Sequence, residues 1–92
     1  MARVEVEMMT GAQNYAVLRL PGRRFPGLLV QGDSLSILTA EVQQALALLR
    51  AGDTASAEEE LAYVANHLAG LLDGYIRVVD ASGMPLPFRR PG

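Results

Sequence analysis

The chain has 92 residues, half of them hydrophobic, and a formal net charge of −2. That length suits one small domain, and the acidic balance argues against broad electrostatic attraction to nucleic acid. Cysteine is absent, which excludes disulfides and thiolate metal sites, and no run approaches the roughly 18 apolar residues that span a bilayer. We therefore expect a cytoplasmic protein that binds neither nucleic acid nor membranes.

Three apolar segments separated by turn residues predict antiparallel strands, over residues 3–8, 15–20 and 28–31. The first segment, RVEVEM, alternates strictly, so Val4, Val6 and Met8 are expected to face inward. Turn residues at 10–14 predict a hairpin with the second strand. A stretch rich in proline and glycine, at 21–27, then breaks regular structure.

After Gly32 the apolar spacing changes to three and four residues, which predicts a helix with its stripe at Leu35, Leu38, Val42, Leu46 and Leu49. Gly52 is expected at the C′ position of this helix. The same spacing predicts a second helix from about residue 57 to 82, with its stripe at Leu61, Ala65, Leu68, Leu72, Tyr75 and Val79. A stop signal follows at residues 82–85 (SGMP). The alternative interpretation ends the helix at Gly74 and makes residues 75–79 a fourth strand.

These elements predict an α+β fold in two layers, a three-stranded antiparallel sheet followed by two helices in the order β-β-β-α-α, the second helix long. We expect residues 1–84 to form a single domain. The proline-rich residues 85–92 are expected to form an extended C-terminal tail, with Leu86 and Phe88 able to dock on the domain.

The tetrad Gly32-Asp33-Ser34-Leu35 resembles the signature of the GDSL esterases. In that family a histidine near the C-terminus activates the serine and follows an aspartate by three residues. Here the histidine is His67 and position 64 is Val64, so this partner motif is missing, and a serine without a base is a poor nucleophile. We therefore predict that Asp33 or Ser34 caps the first helix instead.

Ser56 and Glu59, three residues apart, predict a capping box at the start of the second helix. Glu58, Glu59 and Glu60 are adjacent, so their side chains diverge on a helix and do not form a metal triad. A solvated first turn is expected there, and the alternative is an acidic surface for a basic partner. The lone His67 is predicted to be a packed or surface residue. We predict no catalytic residues, no metal and no cofactor.

Arg23, Arg24 and Phe25 lie in the segment bounded by prolines. Two cations beside an aromatic ring can bind an anionic group or stack on one, so these residues are the candidate partner-binding site. The alternative is that the loop is simply solvated.

Residues 15–49 resemble the N-terminal domain of HicB-type antitoxins. The resemblance rests on the strand YAVLRL, the Pro26-Gly27 break, the segment Gln31–Leu35 (QGDSL) and the helix to Leu49. It implies a homodimer that occludes a small basic toxin without catalysis. A small bacterial family with the segments LPGR-FPG and QGDSL is also similar.

The leading hypothesis is thus a non-catalytic protein-binding module, of the antitoxin or immunity kind. A structural or adaptor domain is the second hypothesis, with dimerisation through the stripe from Leu61 to Val79 and the small residues Gly70 and Gly74. A GDSL-type esterase is the third.

Overall fold

The computed structural model describes residues 1–10 and 15–91. The turn predicted at 10–14 lies, apart from Thr10, outside the described residues. The elements within them are β1 (Glu7–Met8), β2 (Tyr15–Arg19), β3 (Gly27–Val30), α1 (Gly32–Arg50) and α2 (Thr54–Ala81). The α+β fold in the order β-β-β-α-α is therefore confirmed, and α2 is indeed long, with 28 residues, or about 42 Å.

The three strands form an antiparallel sheet in the order β1-β2-β3, with Met8 opposite Leu18 and Val17 opposite Leu28. The prediction of a strand over residues 3–8 is wrong in extent. Pairing ends where Glu7 meets Arg19, the last residue of β2, so the residues before Glu7 have no strand to pair with. Val4, expected inside, is 66% exposed.

A tight turn follows β2 and sets the direction of the segment that leads to β3. The Arg23 N–H donates to the Leu20 carbonyl at 3.2 Å, and Gly22 has a φ of 75°. Proline at the second position and a glycine with positive φ at the third are the requirements of a type II turn. The residues LPGR at positions 20–23 therefore favour this turn by themselves.

The contacts of the chain divide it into two compact units. The sheet unit comprises residues 1–30 and 72–92, and the hairpin unit comprises residues 31–71. The single domain predicted over 1–84 stays a prediction. The hairpin unit contains α1 and most of α2, while the last ten residues of α2, from Leu72, belong to the sheet unit.

The core of the sheet unit forms where the end of α2 covers one face of the sheet. Val17, Tyr75 and Val79 are buried together, and they are surrounded by Met9, Leu28, Val78, Met84 and Leu86. The Tyr75 hydroxyl donates to the Pro26 carbonyl at 2.6 Å. Because Tyr75 and Val79 lie on α2, the alternative of a fourth strand over 75–79 is wrong.

Both helices end as their glycines predict. Gly52 and Gly83 have φ of 85° and 70°, in the left-handed region that glycine adopts without strain. After α1, Gly52 N–H donates to Leu49 O and Asp53 N–H to Leu48 O; the same pair of bonds recurs after α2. This is the Schellman motif. Met84, just after the second motif, packs on the core.

The C-terminal tail is held against the sheet unit. Leu86 packs on the core, and the Phe88 ring centroid lies 6.1 Å from that of Tyr75, so the docking predicted for these two side chains is confirmed. Arg90 donates to Asp80 at 2.5 Å. This bond holds the pKa of the Asp80 carboxyl below its usual value.

The buried hydroxyl of Tyr75 provides a test of this packing. Replacing Tyr75 with Phe leaves the Pro26 carbonyl without its donor, so we expect the free energy of unfolding to fall by about 1–2 kcal/mol. Tyr63→Phe is the matched control because Tyr63 is 62% exposed, and its effect should be within about 0.5 kcal/mol. Urea unfolding followed by circular dichroism measures both. Equal effects would contradict the role of this bond.

The same residue predicts an alkaline dependence of stability. Burial raises the pKa of Tyr75 above its ordinary value, so folding favours the protonated phenol. Its contribution is complete below pH of about 10, the unfolded pKa, and is lost as pH rises through the folded value. The stability difference between wild type and Tyr75→Phe should therefore narrow above pH of about 10. A difference that widens there would rule out this explanation.

Candidate functional site

The predicted partner-binding residues lie together between β2 and β3, and we call Arg23, Arg24 and Phe25 the arginine loop. The Arg24 guanidinium carbon lies 5.0 Å from the Phe25 ring centroid, which is a cation–π contact. The positive charge of Arg24 and the face of the Phe25 ring therefore interact with each other inside the loop. Arg23 is exposed.

An apolar pocket of about 390 Å³ adjoins the arginine loop. Its lining combines the loop with one end of the sheet, at Leu18, Leu20, Arg23, Phe25, Pro26, Gly27, Leu28 and Leu29. A second pocket, of about 610 Å³, lies between the N-terminal segment and the turn and includes the ion pair of Glu7 with Arg19. The pocket beside the arginine loop suits an apolar side chain of a ligand, and Arg23 in its lining can bind a carboxylate.

The predicted cap of α1 is wrong. The N-cap is Gln31, whose side chain makes no capping bond, and both Asp33 and Ser34 lie inside the first turn. Asp33 still satisfies one amide of that turn, because its Oδ1 accepts from the Ser34 N–H at 2.9 Å. The helix begins earlier than predicted since Gly32 already has helical geometry.

The capping box predicted at Ser56 and Glu59 is also wrong. α2 begins at Thr54, and the Oδ1 of Asp53 accepts from the Ser56 N–H at 3.1 Å. Asp53 is therefore the cap, three residues before the position predicted. Ser56 supplies the amide that is capped rather than the capping oxygen.

The hairpin unit has a strongly acidic composition. It holds six carboxylates against one arginine, a formal charge of −5, whereas the sheet unit holds seven arginines against four carboxylates, a formal charge of +3. The net charge of −2 thus hides a separation of charge between the two units.

One face of the hairpin unit carries most of these carboxylates. Asp33, Ile37 and Glu41 recur every four residues and so share one side of α1. On α2 the corresponding side, by helical geometry of about 100° per residue, carries Glu59, Glu60 and Tyr63. We call these six residues the acidic face. Ile37 and Tyr63 are 58% and 62% exposed.

Glu41 is distinctive within the acidic face. One of its carboxylate oxygens is shielded from solvent and accepts no hydrogen bond from the described residues. A carboxylate oxygen in this state loses hydration without compensation, at a cost of about 1–3 kcal/mol.

The opposite face of the hairpin unit is apolar. Six large side chains there are between 43% and 55% exposed, namely Leu35, Val42, Leu46, Leu49, Leu61 and Leu68. We call them the apolar strip. A groove of about 330 Å³ lies beside three of them, Leu35, Val42 and Leu68, and its polar lining side chains are the uncharged Thr39 and Gln43.

The structure also shows where the histidine of the chain lies and how the possible metal ligands of the described residues are placed. His67 is half-buried on α2, and the described part of the chain contains no group of three histidine, aspartate or glutamate side chains placed to hold a metal. No helix in residues 1–10 and 15–91 has the length and apolarity to cross a bilayer.

Residues 1–88 match a family described as a family of unknown function, DUF6959. The chain belongs to this family. The matched DUF6959 region includes every strand and helix, the arginine loop and the docked part of the tail. No curated protein and no solved structure matched the chain.

The sequence indicated only part of each face of the hairpin unit. The acidic run at residues 58–60 includes two members of the acidic face, Glu59 and Glu60, and the four-residue spacing of Asp33, Ile37 and Glu41 was the signal for its part on α1. The side chains of the apolar strip all belong to the apolar stripes predicted for the two helices. The sequence did not indicate that these side chains are exposed.

The corrected cap generates a prediction. Asp53→Ala removes the acceptor of the Ser56 amide and should lower the free energy of unfolding by about 1 kcal/mol. Ser56→Ala, which a true capping box would make equally costly, should change it by less than about 0.5 kcal/mol. Thermal or urea unfolding of both variants decides between the two caps. A larger loss of stability for Ser56→Ala than for Asp53→Ala would show that Ser56 is the cap.

Proposed function

We propose that this chain is a small non-catalytic protein-binding module that neutralises a small basic protein, as antitoxins and immunity proteins do. The observation that carries the proposal is the acidic face, where helical spacing places four carboxylates on the same side as two exposed apolar side chains. The proposed setting is the cytoplasm.

The acidic face has the composition that a basic partner requires. Its carboxylates attract cationic groups over several ångströms and raise the rate of association. Ile37 and Tyr63 are then the apolar anchors, since a few side chains that become buried on association, tyrosine often among them, supply most of the binding energy at an interface.

The resemblance of residues 15–49 to HicB-type antitoxins supports the same function. Asp33 and Ile37 lie inside the similar region, at the start of α1. Neutralisation by occlusion needs surface complementarity and no reacting group, which agrees with the surfaces found here.

An adaptor or dimerisation domain is the alternative, and the apolar strip favours it. The stripe first proposed for it, from Leu61 to Val79, is wrong over its second half, because Tyr75 and Val79 are buried in the sheet unit. At Gly70 and Gly74 an added Cβ would meet nothing within 4 Å, so that side of α2 is open to a neighbour.

Removing charge from the acidic face tests the proposed function. The double variant Asp33→Asn with Glu59→Gln should weaken capture of the basic partner by about tenfold or more and reduce its salt dependence. Glu5→Gln with Asp73→Asn is the matched control, since it removes two exposed carboxylates from the sheet unit. It should leave capture unchanged.

The measurement is affinity capture from cells of the source organism, with the bound proteins identified by mass spectrometry and their affinity then determined with the purified partner. The proposal fails if no small basic protein is recovered, or if both double variants retain one equally well.

A further inference from the structure

We infer that the apolar strip is covered by the apolar strip of a second copy of this chain, so that two hairpin units form a four-helix bundle about a two-fold axis. The inference concerns the face opposite the acidic face. It names the surface of a homodimer and does not depend on the identity of any other partner.

The hairpin unit is under-packed on its own. In these 41 residues, all of which the structure describes, the buried side chains are Leu38, Ala45, Ala57 and Val64. Two of the four are alanines, whereas the six larger side chains of the apolar strip stay about half exposed. Small units with so little core usually need a further stabilising element, and oligomerisation is one that a chain without cysteine retains.

The charge pattern selects a like partner for this face. Asp33 and Glu59 lie two residues from Leu35 and Leu61, which places them about 160° away around the helices. The unit as a whole has a formal charge of −5, yet the strip itself is neutral. A basic protein would gain more on the acidic face, while a second copy meets the strip with apolar side chains and keeps the carboxylates of both acidic faces away from the contact.

Two charged groups flank the strip at the end near the interhelical turn. Arg50 follows Leu46 by four residues, and Glu58 precedes Leu61 by three, so both stand close to its edge. They have opposite signs. A second copy related by a two-fold axis therefore brings no net like charge to this edge.

The spacing and size of the strip suit helix-on-helix packing. Leu35, Val42 and Leu49 are seven residues apart, as are Leu61 and Leu68, the repeat that keeps a seam facing a neighbouring helix. Six half-exposed side chains offer on the order of 500 Å² per copy, or about 1,000 Å² for the pair, which reaches the lower bound for specific association.

A surface that completes a core must be covered whenever the chain is folded. A second copy meets this requirement because it is present wherever the chain is made. A partner supplied by another gene is not, which is why we assign the strip to self-association.

Mass measurement tests the inference directly. Sedimentation velocity of the full chain at micromolar concentrations should give the mass of two chains. The double variant Val42→Gln with Leu46→Gln should give the mass of one chain. Ile37→Gln with Tyr63→Gln, a matched change on the acidic face, should keep the mass of two.

Cross-linking provides a second test in case the double variant Val42→Gln with Leu46→Gln does not fold, as judged by loss of its helical circular dichroism. The chain contains no cysteine, so a single Val42→Cys substitution can be linked by a short bismaleimide without other changes. We expect linked dimers from Val42→Cys and none from Ile37→Cys.

The inference is overturned if wild type has the mass of one chain at every concentration, if the strip variant remains a dimer, or if Ile37→Cys links and Val42→Cys does not. A dimer that captures no basic protein would refute the proposed function alone. A monomer that still captures one would refute this inference alone.

Discussion

The hydrogen bond from Tyr75 to the Pro26 carbonyl is the interaction on which the sheet unit depends. It joins residues 49 positions apart, and it connects the end of α2 to the residue between the arginine loop and β3. Proline lacks an N–H, so its carbonyl is the only backbone group there that can be satisfied. The same tyrosine contacts Phe88 of the tail. One buried side chain therefore positions the loop, the edge strand β3, the helix and the tail together.

The features that sequence predicted well are those determined locally. The ends of both helices were predictable because a glycine with positive φ, followed by a change of pattern, suffices for a Schellman motif. The N-caps were not, because Asp53 and Ser56 are both good caps three residues apart, and the choice depends on where α1 stops. Gly52 ends α1 so abruptly that Asp53 donates its amide to Leu48 and caps α2 with its side chain. Asp53 thus contributes to the end of α1 and to the start of α2, and no local sequence pattern predicts this double role.

Longer-range features were less predictable. Alternation at residues 3–8 shows that a strand is possible, but β2 ends at Arg19 and leaves most of it without a partner. Helical periodicity likewise identified the stripe of α1 correctly without showing that most of it lies exposed. The arginine loop could be named from the sequence because its residues are adjacent, and its role as a partner-binding site stays a prediction. The acidic face was anticipated only at Glu59 and Glu60, because two helices contribute to it and its members on α1 are spaced four residues apart.

The two faces of the hairpin unit are thermodynamically linked if both are occupied. Pairing two strips brings together two units of formal charge −5, and the resulting repulsion acts between exposed carboxylates, where salt screens it within about 10 Å. A basic protein bound on each acidic face neutralises part of that charge, so it reduces the repulsion that opposes the dimer. By reciprocity the dimer must then bind the basic protein more tightly than the monomer does. The separation of a neutral face from an acidic one on the same two helices is what makes this coupling favourable, because neither partner has to displace the other.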